Sequence, residues 1–400
     1  MTSIHVANFG ARFCNELDKI KNFICSPLSV ETVLALVALG SSNESRAEIF
    51  KALDIPNEDN LFSTFTSLTA TLASKDPSEF KTCEDVTLKI ANKIYVKHGG
   101  ALKAALKKDA EEVFQASLEQ IDFTQSNNAA NAINKWVSNQ TNNTIKDIVS
   151  ADMLDEDTRL VLINAIYFHA FWEYQFDADD TYTRVFHVNK STKIDIKQMS
   201  LMGKPFNYKH SPELKAKILQ MFYVGGEASM VIVLPDEIEG LSAVMKQLAT
   251  GYDLMAEIKS LQKKHLQVII PKFKIESEIN LKELLPKMGI KAIFDPIKSE
   301  VNMLSSDGRQ FVSQAIQKAF IAVDELGTEA AAATVIMLRE CCGRFWTGET
   351  FHANRPFLYV LMAHEVPIFY GVFHGSEKGS SINDITRLEE GRGSRKCDML

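Results

Sequence analysis

Residues 160–168, LVLINAIYF, form the longest apolar run of the chain, and Asn164 is the one polar residue inside it. Aliphatic, β-branched and aromatic side chains make up most of the run, a composition that favours a strand. The run is about half the length that a membrane-spanning helix needs. It therefore predicts a strand of a soluble globular protein.

Patterns on both sides of this run predict helices first and strands later. Ser26 and Pro27 form a cap and a first turn, and Gly40 closes an all-apolar helix. An amphipathic helix is predicted by the spacing of Val6, Phe9, Phe13, Leu17 and Ile20. Further helical patterns lie at 45–53, 101–115 and 129–138, and further strand-like runs lie at 229–234, 266–276 and 356–373. This order favours an α+β fold over a βαβ repeat.

Composition excludes several classes of protein. Of the 400 residues, 46% are hydrophobic and 24% are charged, which is ordinary globular usage and not that of a disordered or fibrous chain. The net charge of −7 gives no basic excess, so we expect no nucleic-acid partner. The hydrophobic pattern stops near Gly379. We therefore expect one domain over residues 1–378, followed by a flexible tail over 379–400.

The first twenty residues contain no secretory signal, and six cysteines do not make a disulfide framework. Both features favour a cytoplasmic location, with an extracellular one as the alternative if Met1 follows a removed signal. The last four residues, Cys397 to Leu400, have the spacing of a prenylation box. Membrane contact is expected only if Cys397 is prenylated; otherwise the tail simply contains a cysteine there.

The motifs of common enzymes are missing. The sequence has no His-Glu-x-x-His, Cys-x-x-Cys, Gly-x-Ser-x-Gly or phosphate-binding glycine loop. We therefore expect no metal, no cofactor and no catalytic residue.

Residues 325–351, ELGTEAAAATVIMLRECCGRFWTGETF, are the most unusual part of the chain. Alanine favours helix, so an Ala-rich helix is one interpretation. The other is a segment that can become a strand in a crowded sheet. In that case Thr328, Ala330, Ala332 and Thr334 would share one uncharged face, and Glu329 would point to solvent.

The motifs along the chain resemble those of serpins over residues 4–375. The resemblance rests on their order and spacing: NFICSPLS at 22–29, LKIANKIY at 88–95, INKWV at 133–137, LVLINAIYF at 160–168, SMVIVLP at 229–235, PKFKIE at 271–276 and FHANRPF at 351–357. It implies helices packed on a large central mixed sheet, two smaller sheets and an exposed reactive loop over about 325–351.

The same resemblance implies a monomeric inhibitor that a serine protease attacks as a substrate. Cleavage of the loop would let it insert into the main sheet while the protease is still covalently attached. A papain-like cysteine protease is an alternative target, and a non-inhibitory chaperone or carrier is an alternative function.

The resemblance also assigns residues. The hinge of the loop corresponds to Glu325, Gly327, Thr328, Glu329, Ala330, Ala331, Ala332, Ala333 and Thr334. The region where the sheet opens corresponds to Ser26, Ser29, Asn164, Trp172, Lys272 and Gln317, with Lys272 expected to pair with Glu325. Three positions depart from the family pattern: Gln317 replaces a histidine, Leu326 an acidic residue and Ala170 a glycine.

The family spacing from Glu325 places the scissile bond after Cys341, and counting back from Phe351 allows a bond after Cys342. A cysteine there suggests a protease with a small apolar primary pocket. The second choice is the bond between Arg339 and Glu340, which suits trypsin-like and papain-like enzymes.

Overall fold

The structure is a computed structural model, and it describes residues 2–72, 86–305, 310–328 and 346–375. The helices within these residues are α1 Thr2–Asn15, α2 Pro27–Leu39, α3 Asn43–Leu53, α4 Glu58–Leu72, α5 Ala104–Glu112, α6 Ser126–Gln140, α7 Leu241–Ala249, α8 Leu254–Lys259 and α9 Leu281–Leu284. The strands are β1 Phe23–Cys25, β2 Val86–Lys97, β3 Ser117–Ile121, β4 Leu160–Phe171, β5 Tyr182–His187, β6 Lys193–Ser211, β7 Ala216–Phe222, β8 Ala228–Pro235, β9 Gln262–Pro271, β10 Phe273–Asn280, β11 Val312–Val323, β12 Gly327–Thr328, β13 Thr350–His352, β14 Phe357–Ala363 and β15 Val366–Phe373.

The strands form a mixed sheet of six strands, ordered β10-β11-β12-β4-β2-β3, and a second sheet of nine. The nine-stranded sheet runs β1-β15-β14-β8-β7-β6-β9-β13, with β5 also paired to β6. The α+β class is confirmed. The two smaller sheets that we expected are joined into one path because the 19-residue strand β6 pairs with β5, β7 and β9.

Helix α2 lies in the core between the two sheets, in contact with β15 on one side and with β2 and β4 on the other. The Ser26 side chain caps it by accepting a hydrogen bond from Ser29 N–H, and Pro27 occupies the first turn. Its apolar residues point in all directions, which fits a helix surrounded by protein.

Three boundaries differ from the sequence patterns. Helix α1 ends at Asn15, and Ile20 is 72% exposed instead of continuing the apolar face. The run at 266–276 is interrupted at Lys272, so β9 and β10 belong to different sheets. The run at 356–373 is a hairpin, because His364 and Glu365 adopt positive φ and turn the chain between β14 and β15.

Candidate functional site

The six-stranded sheet has a seam where β4 and β11 meet. These two strands are parallel and hydrogen-bonded directly to each other, from Leu160 and Val312 as far as Ile166 and Ala319. Beyond this point lie the C-terminal ends of β4 and β11, which form the upper end of the seam. There β12 enters between the two strands: Thr328 pairs with Ala170 of β4 and with Val323 of β11. The seam is therefore closed below and already occupied at its upper end.

A cluster of five buried polar residues, the seam cluster, lies beneath the closed part: Gln317, Asn164, Asn92 and Ser29 take part through their side chains and Ser26 through its backbone. Gln317 of β11 donates from Nε2 to Asn164 Oδ1 of β4 (2.6 Å) and to the Ser26 carbonyl (2.9 Å), while its Oε1 accepts from Ser26 N–H (2.9 Å). Asn164 Nδ2 donates to Ser29 Oγ and to Asn92 Oδ1. Ser29 Oγ in turn donates to Asn92 Oδ1 (2.6 Å).

Each residue of the seam cluster is at most 4% exposed. The cluster contains no ionisable side chain, and amides and hydroxyls satisfy one another inside it. Gln317 can hold two strands and the start of α2 together because one amide both donates and accepts. The histidine that the family pattern has at this position would add a titratable group, which this cluster lacks.

The base of the hinge is held by an ion pair. Lys272 Nζ lies 2.8 Å from Glu325 Oε2, and the Thr181 hydroxyl donates to Glu325 Oε1 (2.8 Å). Burial alone would raise the pKa of Glu325, but the hydrogen bonds from Lys272 and Thr181 outweigh it and hold the pKa below its ordinary value. Glu325 is therefore ionised at neutral pH and anchors the segment that leads to β12.

The turn between β11 and β12 is fixed by Asp324. Its Oδ1 accepts from the N–H groups of Leu326 (2.9 Å) and Gly327 (3.1 Å), and burial raises its pKa. Position 327 requires glycine because the backbone of β4 lies too close for a side chain: a Cβ there would lie 2.0 Å from the carbonyl oxygen of Ala170. The alanine that replaces a family glycine at position 170 is fully buried and fits beside Gly327.

Two stacked aromatic rings hold Thr328 at the upper end of the seam. Trp172 and Tyr223 are parallel within 10°, with ring centroids 4.4 Å apart, and both are buried. The Tyr223 hydroxyl lies 2.7 Å from Thr328 Oγ1, and Trp172 Nε1 donates to the Asp324 carbonyl (3.0 Å). Trp172 N–H also donates to the Leu326 carbonyl (2.8 Å). The upper end of the seam is thus built from both sheets.

The structure places the residues named from the sequence in two groups along the seam. Ser26, Ser29, Asn164 and Gln317 meet in the seam cluster, and Trp172, Lys272, Glu325, Gly327 and Thr328 lie at the upper end. The remaining residues named there lie outside the described residues: Glu329, Ala330, Ala331, Ala332, Ala333, Thr334, Arg339, Glu340, Cys341, Cys342 and Cys397. Their assignments stay predictions.

Sequence reasoning missed four residues of this site: Asn92, Thr181, Tyr223 and Asp324. Asn92 gave a usable signal, because an amide interrupts the run 88–95 much as Asn164 interrupts 160–168. Tyr223 and Thr181 gave none, because neither lies in one of the motifs quoted above and their contacts with Thr328 and Glu325 arise only in the folded chain.

Comparisons with known proteins agree with this architecture. A family profile described as "Serpin (serine protease inhibitor)" matches residues 5–374. Alaserpin of Manduca sexta is 37% identical over 367 residues, covering 91% of each chain. Antichymotrypsin-2 of Bombyx mori is 36% identical over 370 residues, covering 92% of this chain and 96% of its own. Serpin48 of Tenebrio molitor superposes with a TM-score of 0.82 at 31% identity, over 94% of this chain and 98% of its own.

The chain belongs to the serpin family. The serpin fold predicted from the motifs is confirmed, as is the class of protease inhibitor instead of enzyme. Among the described residues, no helix combines the length and the apolar character needed to cross a membrane.

Proposed function

We propose that this protein inhibits serine endopeptidases as a suicide substrate, with a reactive loop over about residues 325–351 and with β12 as the beginning of the strand that the loop becomes. The names of the relatives support the general activity, since they include an antichymotrypsin and an antitrypsin of Bombyx mori. The observation that carries the mechanism is the pairing of Thr328 with both β4 and β11.

The register of β12 predicts which residues of β4 and β11 each later residue of the loop would face after insertion. Thr328 lies opposite Ala170 and Val323, so six residues further on Thr334 would lie opposite Asn164 and Gln317. Those two residues already face each other in the closed seam. The Thr334 hydroxyl would then enter the seam cluster in place of the direct hydrogen bond between the two amides.

Both faces of the inserted strand would be covered, which accounts for its small residues. The even-numbered side of β4 faces the main core, and its odd-numbered side, with Val161, Ile163 and Ala165, packs beneath α6. Ala333 would lie opposite Ala165, under this helix. Glu329 would lie opposite His169, which is half-exposed, so its carboxylate could reach solvent.

The chemical step follows from the attack of the protease serine on the Cys341 carbonyl carbon. The Cys341–Cys342 amide bond breaks, the Cys342 amine leaves with a proton, and an ester joins Cys341 to the protease. Thirteen residues from Thr328 to Glu340 span about 43 Å as a strand, at about 3.3 Å each. Insertion would therefore carry the attached protease from one end of the seam past the other before the ester is hydrolysed.

The test is incubation of the purified monomer with trypsin-like, chymotrypsin-like, elastase-like and papain-like proteases. A covalent band on a denaturing gel, together with a released peptide that begins at Cys342, is expected. A peptide that begins at Gly343 moves the bond to Cys342, and one that begins at Glu340 moves it to Arg339. Complexes with the papain-like enzyme alone would favour the cross-class alternative.

Ala332→Pro supplies the insertion control. Proline lacks the N–H that a central strand needs, so this variant should be cleaved at the same bond but form no stable complex. Ala332→Ser keeps the N–H and a small side chain and should inhibit like the natural chain. Cleavage of all three proteins without any complex would exclude the inhibitory mechanism and favour a non-inhibitory serpin.

A further inference from the structure

Two cysteines from different elements meet in the core, away from the reactive loop. Cys14 of α1 and Cys25 of β1 are both free and buried, and their sulfur atoms are 3.5 Å apart. Ten residues separate them in the sequence. Two sulfurs in contact need to approach by about 1.5 Å more to reach the ~2.05 Å of a disulfide bond.

Strand β1 links the two sheets and leads directly into the seam cluster. It pairs with Tyr370 to Val372 of β15 in the nine-stranded sheet. Ile24 N–H donates to Ser277 Oγ of β10 in the six-stranded sheet (2.9 Å). The residue after Cys25 is Ser26, whose backbone N–H and carbonyl both bind Gln317. A covalent bond at Cys25 would therefore hold the residue that directly precedes Ser26 of the seam cluster.

We propose that Cys14 and Cys25 form an intramolecular disulfide when the chain folds under oxidising conditions, and that this bond fastens α1 to the strand that supports the seam. The proposal does not depend on the inhibitory mechanism. Cys14 is the partner because its sulfur contacts that of Cys25, whereas the other cysteines of the chain lie outside the described residues.

The bond forms by two thiol–disulfide exchanges with a small disulfide such as oxidised glutathione. The first exchange links one cysteine to glutathione and releases one reduced glutathione; the second cysteine then displaces the other. Two thiols are oxidised and one glutathione disulfide is reduced. Burial raises the pKa of the Cys25 thiol, so Cys25 offers little thiolate for exchange once the protein is folded. The disulfide therefore has to form during folding, before Cys14 and Cys25 are buried.

Peptide mapping of the natural chain tests the bond directly. Trypsin cuts after Arg12, Lys19, Lys21 and Arg46, so the two cysteines fall in separate peptides, 13–19 and 22–46. The chain is refolded with a mixture of oxidised and reduced glutathione, alkylated without reductant, and digested. We expect these two peptides to be joined. Recovery of both as separate alkylated peptides, or linkage of either to another cysteine, would overturn the proposal.

The second measurement concerns the seam. The oxidised chain should have an apparent unfolding midpoint about 5 °C above that of the reduced chain, because a short loop is closed in the unfolded state. It should also lose native monomer more slowly on mild heating. Cys14→Ala should abolish both differences, and Cys83→Ala, with Cys14 and Cys25 intact, should keep them. Joined peptides with identical heating behaviour would overturn the role at the seam.

Discussion

Gln317 and Asn164 face each other across the seam of the six-stranded sheet, and the amide of Gln317 donates to Asn164 Oδ1 over 2.6 Å. The same amide holds the backbone of Ser26 at the start of α2. One neutral side chain thus fastens β11 to β4 and both strands to the helix beneath them. A strand that inserts along the seam past Ile166 and Ala319 has to break the Gln317–Asn164 bond.

The first prediction concerns this amide. Gln317→Ala should lower the free energy of unfolding by about 2–3 kcal/mol, because the buried N–H and carbonyl of Ser26 and the amide oxygen of Asn164 all lose a partner. It should also speed the loss of the native species during mild heating, measured on native gels. Gln314→Ala is the control, since Gln314 is half-buried on the same strand and, within the described part of the chain, its side chain bonds only the Met153 carbonyl. Equal behaviour of the two variants would show that the seam cluster does not hold the seam closed.

The second prediction concerns the hydroxyl pair at the upper end of the seam. Tyr223→Phe and Thr328→Val should each destabilise the protein by about 1–2 kcal/mol, because each leaves the other buried hydroxyl unpaired. The double variant should cost less than the sum, with a coupling of about 1 kcal/mol. Urea unfolding of the four proteins measures this. Additive effects would mean that the 2.7 Å contact contributes no energy of its own. Tyr223→Phe keeps the ring on Trp172, which tryptophan fluorescence can verify.

A residue of this site can be predicted from the sequence where it stands out within its own segment, even when its partner lies far away in the chain, as with Asn164 and Ser29. Asn164 is the polar residue inside the apolar run 160–168, and Ser29 ends the motif at 22–29. The resemblance to the family therefore identifies both. The joining of the smaller sheets could not be predicted, because it depends on the pairing of β6 with β9, which no local pattern encodes. The break between β9 and β10 at Lys272 cannot be predicted from the local pattern either, because β-prone residues continue through it. The chain changes direction there because β9 and β10 belong to different sheets.

The third prediction concerns Gly327. A methyl group at this position would lie 2.0 Å from Ala170 O and 2.7 Å from Phe171 Cα, so Gly327→Ala should force β12 away from β4. We expect a loss of about 2 kcal/mol or more in stability and a red shift of Trp172 emission as its carbonyl partner Leu326 moves. Gly99→Ala is the control, because a Cβ there meets nothing within 4 Å. A stable Gly327→Ala variant with native emission would contradict the close packing at the hinge.

The fourth prediction concerns a buried carboxyl on α2. Glu31 is fully buried, and neither of its oxygens has a hydrogen-bond partner among the described residues. Its nearest ionisable contact is His5 of α1, with 3.9 Å between Nε2 and Oε2. Burial raises the pKa of Glu31 well above its ordinary value, against a smaller opposing effect of Arg12. Burial also lowers the pKa of His5.

The sign of the pH dependence follows from these directions. Because the folded-state pKa of Glu31 is raised, its contribution to stability is fully present below its unfolded value of 4.5 and is lost as pH rises through the folded value. Each unit of pKa difference corresponds to about 1.4 kcal/mol. Glu31→Gln removes the titrating group, so the variant should gain stability relative to the natural chain from about pH 5 to about pH 8. His5 acts in the opposite direction, because its contribution to stability is lost as pH falls. The natural chain and Glu31→Gln are therefore each compared again in a His5→Gln background.

Urea unfolding midpoints across this pH range measure the effect. The buried amide that Glu31→Gln introduces adds an offset that is the same at every pH, so the slopes are compared and not the absolute midpoints. Glu111→Gln, at an exposed position of α5, should leave the slope unchanged. Parallel curves for the natural chain and Glu31→Gln, with and without His5, would show that the Glu31 carboxyl has the same affinity for a proton in the folded and unfolded states.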